Sequence, residues 1–221
     1  MKTKYFQLLI HKYLAHLLPN YINMKRLLYV EPIGEVLQGF FFDDSSFDKW
    51  KFVVYAFVLP LYVPTDHVSF NFGGRLGTLS GGQERWWRIN EDKANETEIM
   101  QDVISLINKE ALPFFEKTAT PADFSNMYIH KANPPHIIIM EAVSYSLILA
   151  NEYRKAEKIA IKNIRYLQQA IQGKYSHPHL YEKLARTELI LKALQDNPQK
   201  AVSTLEIWRD ETLVNLGLPN R

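Results

Sequence analysis

Apolar residues recur at intervals of three and four near the start of the chain. Phe6, Leu9, Ile10, Tyr13, Leu14 and Leu17 share one side of a helical wheel, with Gln7, His11 and Lys12 elsewhere. This pattern predicts an amphipathic first helix packed by its apolar face. From Leu27 to Ile89 the helical period disappears, and aromatic and β-branched residues crowd into short runs divided by turn residues. The predicted strands are 27–30, 36–42, 52–59, 68–72 and 85–89. The run from Phe52 to Leu59 is apolar throughout, as in a central strand covered on both faces, and Pro60 ends its ladder. Val68, Phe70 and Phe72 alternate with Ser69 and Asn71, the period of a strand with one wet face. The connections Asp43–Ser46 and Gly73–Gly82 are short, which favours antiparallel pairing.

After Asn90 the period is helical to the end. Asn95 and Glu98 have the spacing of a capping box ahead of a helix that buries Ile99, Val103, Ile104 and Ile107. Thr120 before Pro121 starts a short helix running to about His130. The Asn133-Pro134-Pro135 break is followed by four predicted helices, 137–150, 153–172, 178–195 and 198–216, with Gly173 and Gly217 as stops. Strands followed by helices without alternation predict an α+β fold. An antiparallel sheet over about 27–89 is packed with an N-terminal helix and a C-terminal bundle of helical hairpins. A soft boundary at 132–135 divides residues 1–132 from a helical-hairpin subdomain, 133–221; a single domain is the alternative.

Composition narrows the chemistry. With 47% hydrophobic and 23% charged residues the chain can bury a core, and zero cysteine removes disulfides, thiolate metal sites and cysteine nucleophiles. The two lysines near the N-terminus precede an apolar stretch, but His11, Lys12 and His16 interrupt it, so a packed helix is expected there in place of a signal peptide. No uncharged apolar run approaches the ~20 residues that cross a bilayer, and a soluble, cytoplasmic protein is expected. The net charge of +2 averages over segregated segments. Residues 1–30 hold five basic and no acidic side chains, residues 91–150 four against nine, and residues 151–221 twelve against eight.

The least generic segment runs from Leu59 to Leu76. Pro60 and Pro64 fix a corner, Asp66 and His67 follow, and Gly73-Gly74 precede Arg75, a guanidinium able to grip a carboxylate or phosphate in two-pronged fashion. An enzymatic reading would pair Asp66 with His67, or use Glu31 and Glu35 as carboxylates, with Arg75 as an anion clamp. Adjacent residues of a strand point to opposite faces, however, so Asp66 and His67 are not expected to pair. Five of the nine glycines lie within 73–82, without the Lys-Ser/Thr of a phosphate loop, and read as a mobile hairpin loop. Trp86 and Trp87 between Arg85 and Arg88 have the composition of an interface anchor if one tryptophan enters the core and the other faces out; burial of both under the helices is the alternative. Arg154, Lys158, Lys162 and Arg165 line up at helical spacing as a basic face, diluted by Glu152 and Glu157. His130, His136, His177 and His179 are expected at the surface, and neither a metal nor a cofactor is expected.

Two resemblances add to this reading. Leu149-Ala150-Asn151-Glu152-Tyr153-Arg154-Lys155-Ala156 resembles the turn of a tetratricopeptide hairpin. Lys162 stands where that pattern has a small residue, and a similar turn, residues 194–201, follows at 45 residues where the repeat has 34. This implies helical hairpins with solenoid-like packing, often a protein-binding surface. The segment 59–76 resembles uncharacterised bacterial proteins, among them immunity proteins paired with secreted toxins. The expected function is therefore a non-catalytic protein-interaction module, with toxin neutralisation as its most specific form. Arg75, Trp86, Trp87, Arg88, Asp66 and the basic face are the candidate binding residues. A small enzyme or nucleotide- or anion-binding domain using Arg75 is the alternative, and nucleic acid binding through the basic face is the third.

Overall fold

The computed structural model describes residues 3–132, 136–173 and 177–219 and has an α+β architecture. The chain forms two compact units, Met1–Leu59 with Ser69–Lys117, and Pro60–Val68 with Thr118–Arg221. Of the sequence-based boundary at 132–135, residues 133–135 lie outside the described residues.

In the first unit, helix α1 (Thr3–Leu9) runs into a π-helical turn (Ile10–Leu14), and Phe6, Leu9, Ile10 and Leu14 are buried, as their spacing predicts. Six strands follow: β1 (Tyr21–Met24), β2 (Leu27–Val30), β3 (Val36–Asp44), β4 (Lys51–Pro60), β5 (Gly73–Arg75) and β6 (Trp87–Arg88). They lie in the order β1-β2-β3-β4-β5, with β6 also paired to β4. Strand β4 is central and almost wholly buried, as its unbroken apolar run requires. Strands β5 and β6 share its edge opposite β3: Tyr55, Ala56 and Phe57 face Arg75, Gly74 and Gly73, while Lys51 and Phe52 face Arg88 and Trp87. On one face of the sheet the Phe6 ring meets Phe42 at 5.8 Å and Phe52 at 5.7 Å, and Phe52 stacks on Trp87 at 5.7 Å. Helices α2 (Glu96–Leu106) and α3 (Leu112–Glu116), joined by a second π-helical turn (Ile107–Ala111), complete this unit.

Three expectations are corrected here. Residues 68–72 are not a strand: the Phe72 carbonyl accepts from Val58 N–H at 2.9 Å, while the Phe70 ring lies over the sheet against Phe41, Tyr55 and Phe57. The alternation there records ring packing across a face, which has the same period as a strand. Asn95 does not cap α2 with its side chain; its amide accepts from Asn90 N–H and donates to the Arg88 carbonyl, tying the end of β6 to the helix start. In α2 itself Met100 and Val103 are buried, whereas Ile99 and Ile104 are only half-buried. Strand β1 was not predicted, because its two central residues, Ile22 and Asn23, are exposed and give no apolar run.

The second unit is helical. It contains α4 (Pro121–Tyr128), continued by a 3-10 turn (Ile129–Ala132), then α5 (Ile137–Leu149), α6 (Tyr153–Gln172), α7 (Pro178–Asp196) and α8 (Pro198–Asn215), each packed on the next as antiparallel hairpins. Thr120 caps α4 through its hydroxyl, accepting from Asp123 N–H at 3.2 Å, and Pro121 occupies the first turn. The α5–α6 turn closes at Asn151, whose φ of 62° is tolerated by asparagine, and Ala156 and Ala160 are buried where a close helix contact needs small side chains. The segment 60–68 is held to the helices by Tyr62, whose hydroxyl meets Ser146 Oγ at 2.6 Å, and by Arg186 Nη1, which donates to the Pro64 carbonyl at 3.4 Å. Among the described residues no helix is long and apolar enough to cross a membrane.

Candidate functional site

Because β5 pairs with β4 in register, Arg75 lies directly opposite Tyr55 on the face that also carries Phe70. The Arg75 Nε donates to Tyr55 Oη at 2.7 Å, and Nη1 donates to Glu84. Glu84 accepts in turn from Trp86 Nε1 at 2.9 Å. The guanidinium thus lies between two aromatic rings, 5.1 Å from the centroid of Tyr55 and 5.3 Å from that of Trp86, and Lys51 lies 5.1 Å from the Trp86 centroid. Tyr55 stacks on Phe70 at 4.9 Å. The result is a column of alternating cations and rings, favourable because a ring face is electronegative.

Electrostatics fix the charge state of this column. The Trp86 indole N–H first, and Arg75 after it, hold the Glu84 carboxyl below the usual range, while the bond to Glu84 holds Arg75 above its ordinary value. Both groups are therefore charged throughout the physiological range. Arg75 keeps 31% of its side chain exposed, and among the described residues its hydrogen bonds run from Nε and Nη1. An anion reaching this guanidinium meets a carboxylate already in place.

The neighbouring sequence candidates divide by strand face. Trp87 is buried, donates from Nε1 to Asp102 Oδ2 at 2.7 Å and shares that carboxylate with Arg85 at 3.1 Å. It belongs to the core face, while Trp86 is half-buried on the other. Arg88 is exposed and bonds Asp48 at 2.9 Å. Arg75 and Trp86 are therefore brought together, whereas Trp87 is turned away from them.

In the helical unit Asp66 and His67 do pair, Oδ1 to Nδ1 at 2.7 Å, contrary to expectation. They lie in a bend, so strand alternation does not apply, and both are largely exposed. The His67 hydrogen bond lowers the Asp66 pKa. On α6, Arg154, Lys158 and Arg165 are exposed and Lys162 is half-exposed, opposite the buried Ala156, Ala160, Asn163 and Leu167. His177 and His179 are exposed, with His177 accepting at the start of α7. Among the described residues no three histidine, aspartate or glutamate side chains converge to hold a metal.

Sequence reasoning missed two acidic residues. Glu110, in the second π-helical turn, is buried and accepts from Gly77 N–H at 2.9 Å and Ser80 Oγ at 2.7 Å. The loop read as mobile is thus pinned, and its Arg85 N–H bonds the Leu76 carbonyl at 3.0 Å. Glu141 is wholly buried in α5 and accepts from Arg186 Nε at 2.5 Å, Arg186 Nη2 at 3.0 Å and Lys183 Nζ at 2.8 Å. A lone carboxylate inside the apolar run 137–149 was the available signal for it.

Residues 50–117, which run from β4 to α3 and contain Arg75, Glu84, Trp86 and Glu110, are similar to a family described as "Domain of unknown function (DUF4304)". No curated protein and no solved structure matches the chain.

Proposed function

We propose that the protein is a non-catalytic protein-interaction module whose contact surface in the first unit is centred on Arg75, Tyr55 and Trp86. The observation that carries this reading is the fixed guanidinium between two rings, partly exposed. Tryptophan, tyrosine and arginine dominate the energetics of protein contacts, and side chains already immobilised lose little entropy on binding. Engagement of Arg75 by Tyr55 and Glu84 supports a positioning role over an anion clamp for catalysis.

Neutralisation of a bacterial toxin is the more specific form of this proposal and draws its support from the sequence resemblance of segment 59–76. Co-purification from native cells tests the general reading. A stable protein partner is expected with the wild type and is lost with Trp86→Ala, while the far-ultraviolet circular dichroism stays unchanged. Recovery of monomer alone at near-native concentration overturns it. For the specific form, expression of the chain should protect cells from the product of an adjacent toxin gene, and Trp86→Ala should weaken that protection.

A further inference from the structure

We infer that the outer face of α6 docks an acidic helix of a protein partner. Arg154, Lys158, Lys162 and Arg165 succeed one another at spacings of four, four and three residues, placing four cations in a row about 16 Å long at the α-helical rise. None of the four has an ion pair or side-chain hydrogen bond among the described residues. The carboxylates on the same helix end are committed elsewhere: Glu152 pairs with Lys155, and Glu157 accepts from Gln195 Nε2 at 2.7 Å.

The row cannot turn away from solvent, because Ala156, Ala160, Asn163 and Leu167 bury the opposite side of α6. Its charges repeat at the pitch of another helix, so carboxylates four residues apart on a helix lying alongside would meet them at about 6 Å intervals. Charge balance favours a protein over nucleic acid. The net charge is only +2, and Glu152 and Glu157 flank the row, which weakens the long-range attraction that polyanion binding uses. Gln168, Gln169 and Gln172 continue the exposed face with hydrogen-bonding groups and no further cations.

This surface lies in the helical unit and does not rest on the Arg75 cluster. Fluorescence anisotropy of the full chain tests it with three labelled probes: an alanine-based helical peptide with glutamates spaced four, four and three apart, a scrambled peptide of equal composition, and a duplex RNA. The patterned peptide should bind about fivefold or more tighter than the scrambled one, with an affinity that falls as salt rises. Lys158→Glu with Lys162→Glu should abolish this preference and create one for a lysine-patterned helix. Arg154→Ala with Arg165→Ala, a milder surface change, should reduce it, and Trp86→Ala should leave it intact. Equal affinity for the two acidic peptides, tighter binding of the duplex RNA, or indifference to both double substitutions would overturn the inference.

Discussion

The buried carboxylate of Glu110 accepts the backbone N–H of Gly77 at 2.9 Å, joining a π-helical turn to a loop 33 positions earlier. Ser80 bonds the other carboxylate oxygen, so one side chain closes the glycine-rich segment that carries Arg75 toward Trp86. Glu110→Ala leaves both donors without their acceptor and should cost about 1–3 kcal/mol. Thermal unfolding should show a lowered Tm, and hydrogen exchange at the Gly77 amide should accelerate. Glu110→Gln, which keeps an acceptor oxygen, should lose less.

Gly77 and Gly81 separate two reasons for glycine in that loop. Gly77 has φ of +96°, and an added Cβ would stand 2.2 Å from the Gln83 carbonyl oxygen; Gly81 has φ of +86° with open space around it. Gly81→Ala should cost about 1–2 kcal/mol from backbone conformation alone. Gly77→Ala should cost more, since the backbone must move. Chemical denaturation of the two variants measures the difference, and equal losses would refute the close-contact role.

Glu141→Ala should be among the most destabilising single changes. It removes the partner of Arg186 and Lys183, which are themselves mostly buried, and loss of one member of a buried ion pair costs about 3–5 kcal/mol. The Arg186 hold on the Pro64 carbonyl should loosen with it, and proteolysis within segment 60–68 is a direct readout.

Glu96 governs part of the acid response. Burial favours its neutral form, but hydrogen bonds from Lys12, Tyr5 and Tyr13 outweigh that and hold its pKa below the ordinary value. A carboxylate lowered on folding contributes stability above its unfolded pKa, about 4.3, and loses it as pH falls toward the folded value. Glu96→Gln should therefore destabilise the protein at neutral pH and flatten the decline below about pH 5 in a series of urea titrations.

Local chemistry made the helical unit legible. Thr120-Pro121, Pro178 and Pro198 mark helix starts whose geometry needs only neighbouring residues, and all three helices begin there. The Phe52–Leu59 run was equally plain, since burial on both faces leaves no polar position. Arg75 and Trp86 were each visible as residue types, but their approach depends on β5 and β6 sharing one edge of β4, which is a matter of register across the sheet. Glu110 gave no sign at all: its partners are a backbone N–H and a serine far along the chain. Phe70 misled because a ring laid over a sheet and a side chain within it leave the same alternation in sequence.

Strand lengths at the margins of the sheet carry one more implication. Strand β1 offers four residues, β5 three and β6 two. A guest peptide that sought to extend the sheet would find too few free backbone groups to hold it, since strand addition draws its affinity from a continuous ladder of main-chain bonds. The contact surface proposed for this unit would consequently rest on side chains, where a single substitution can erase it.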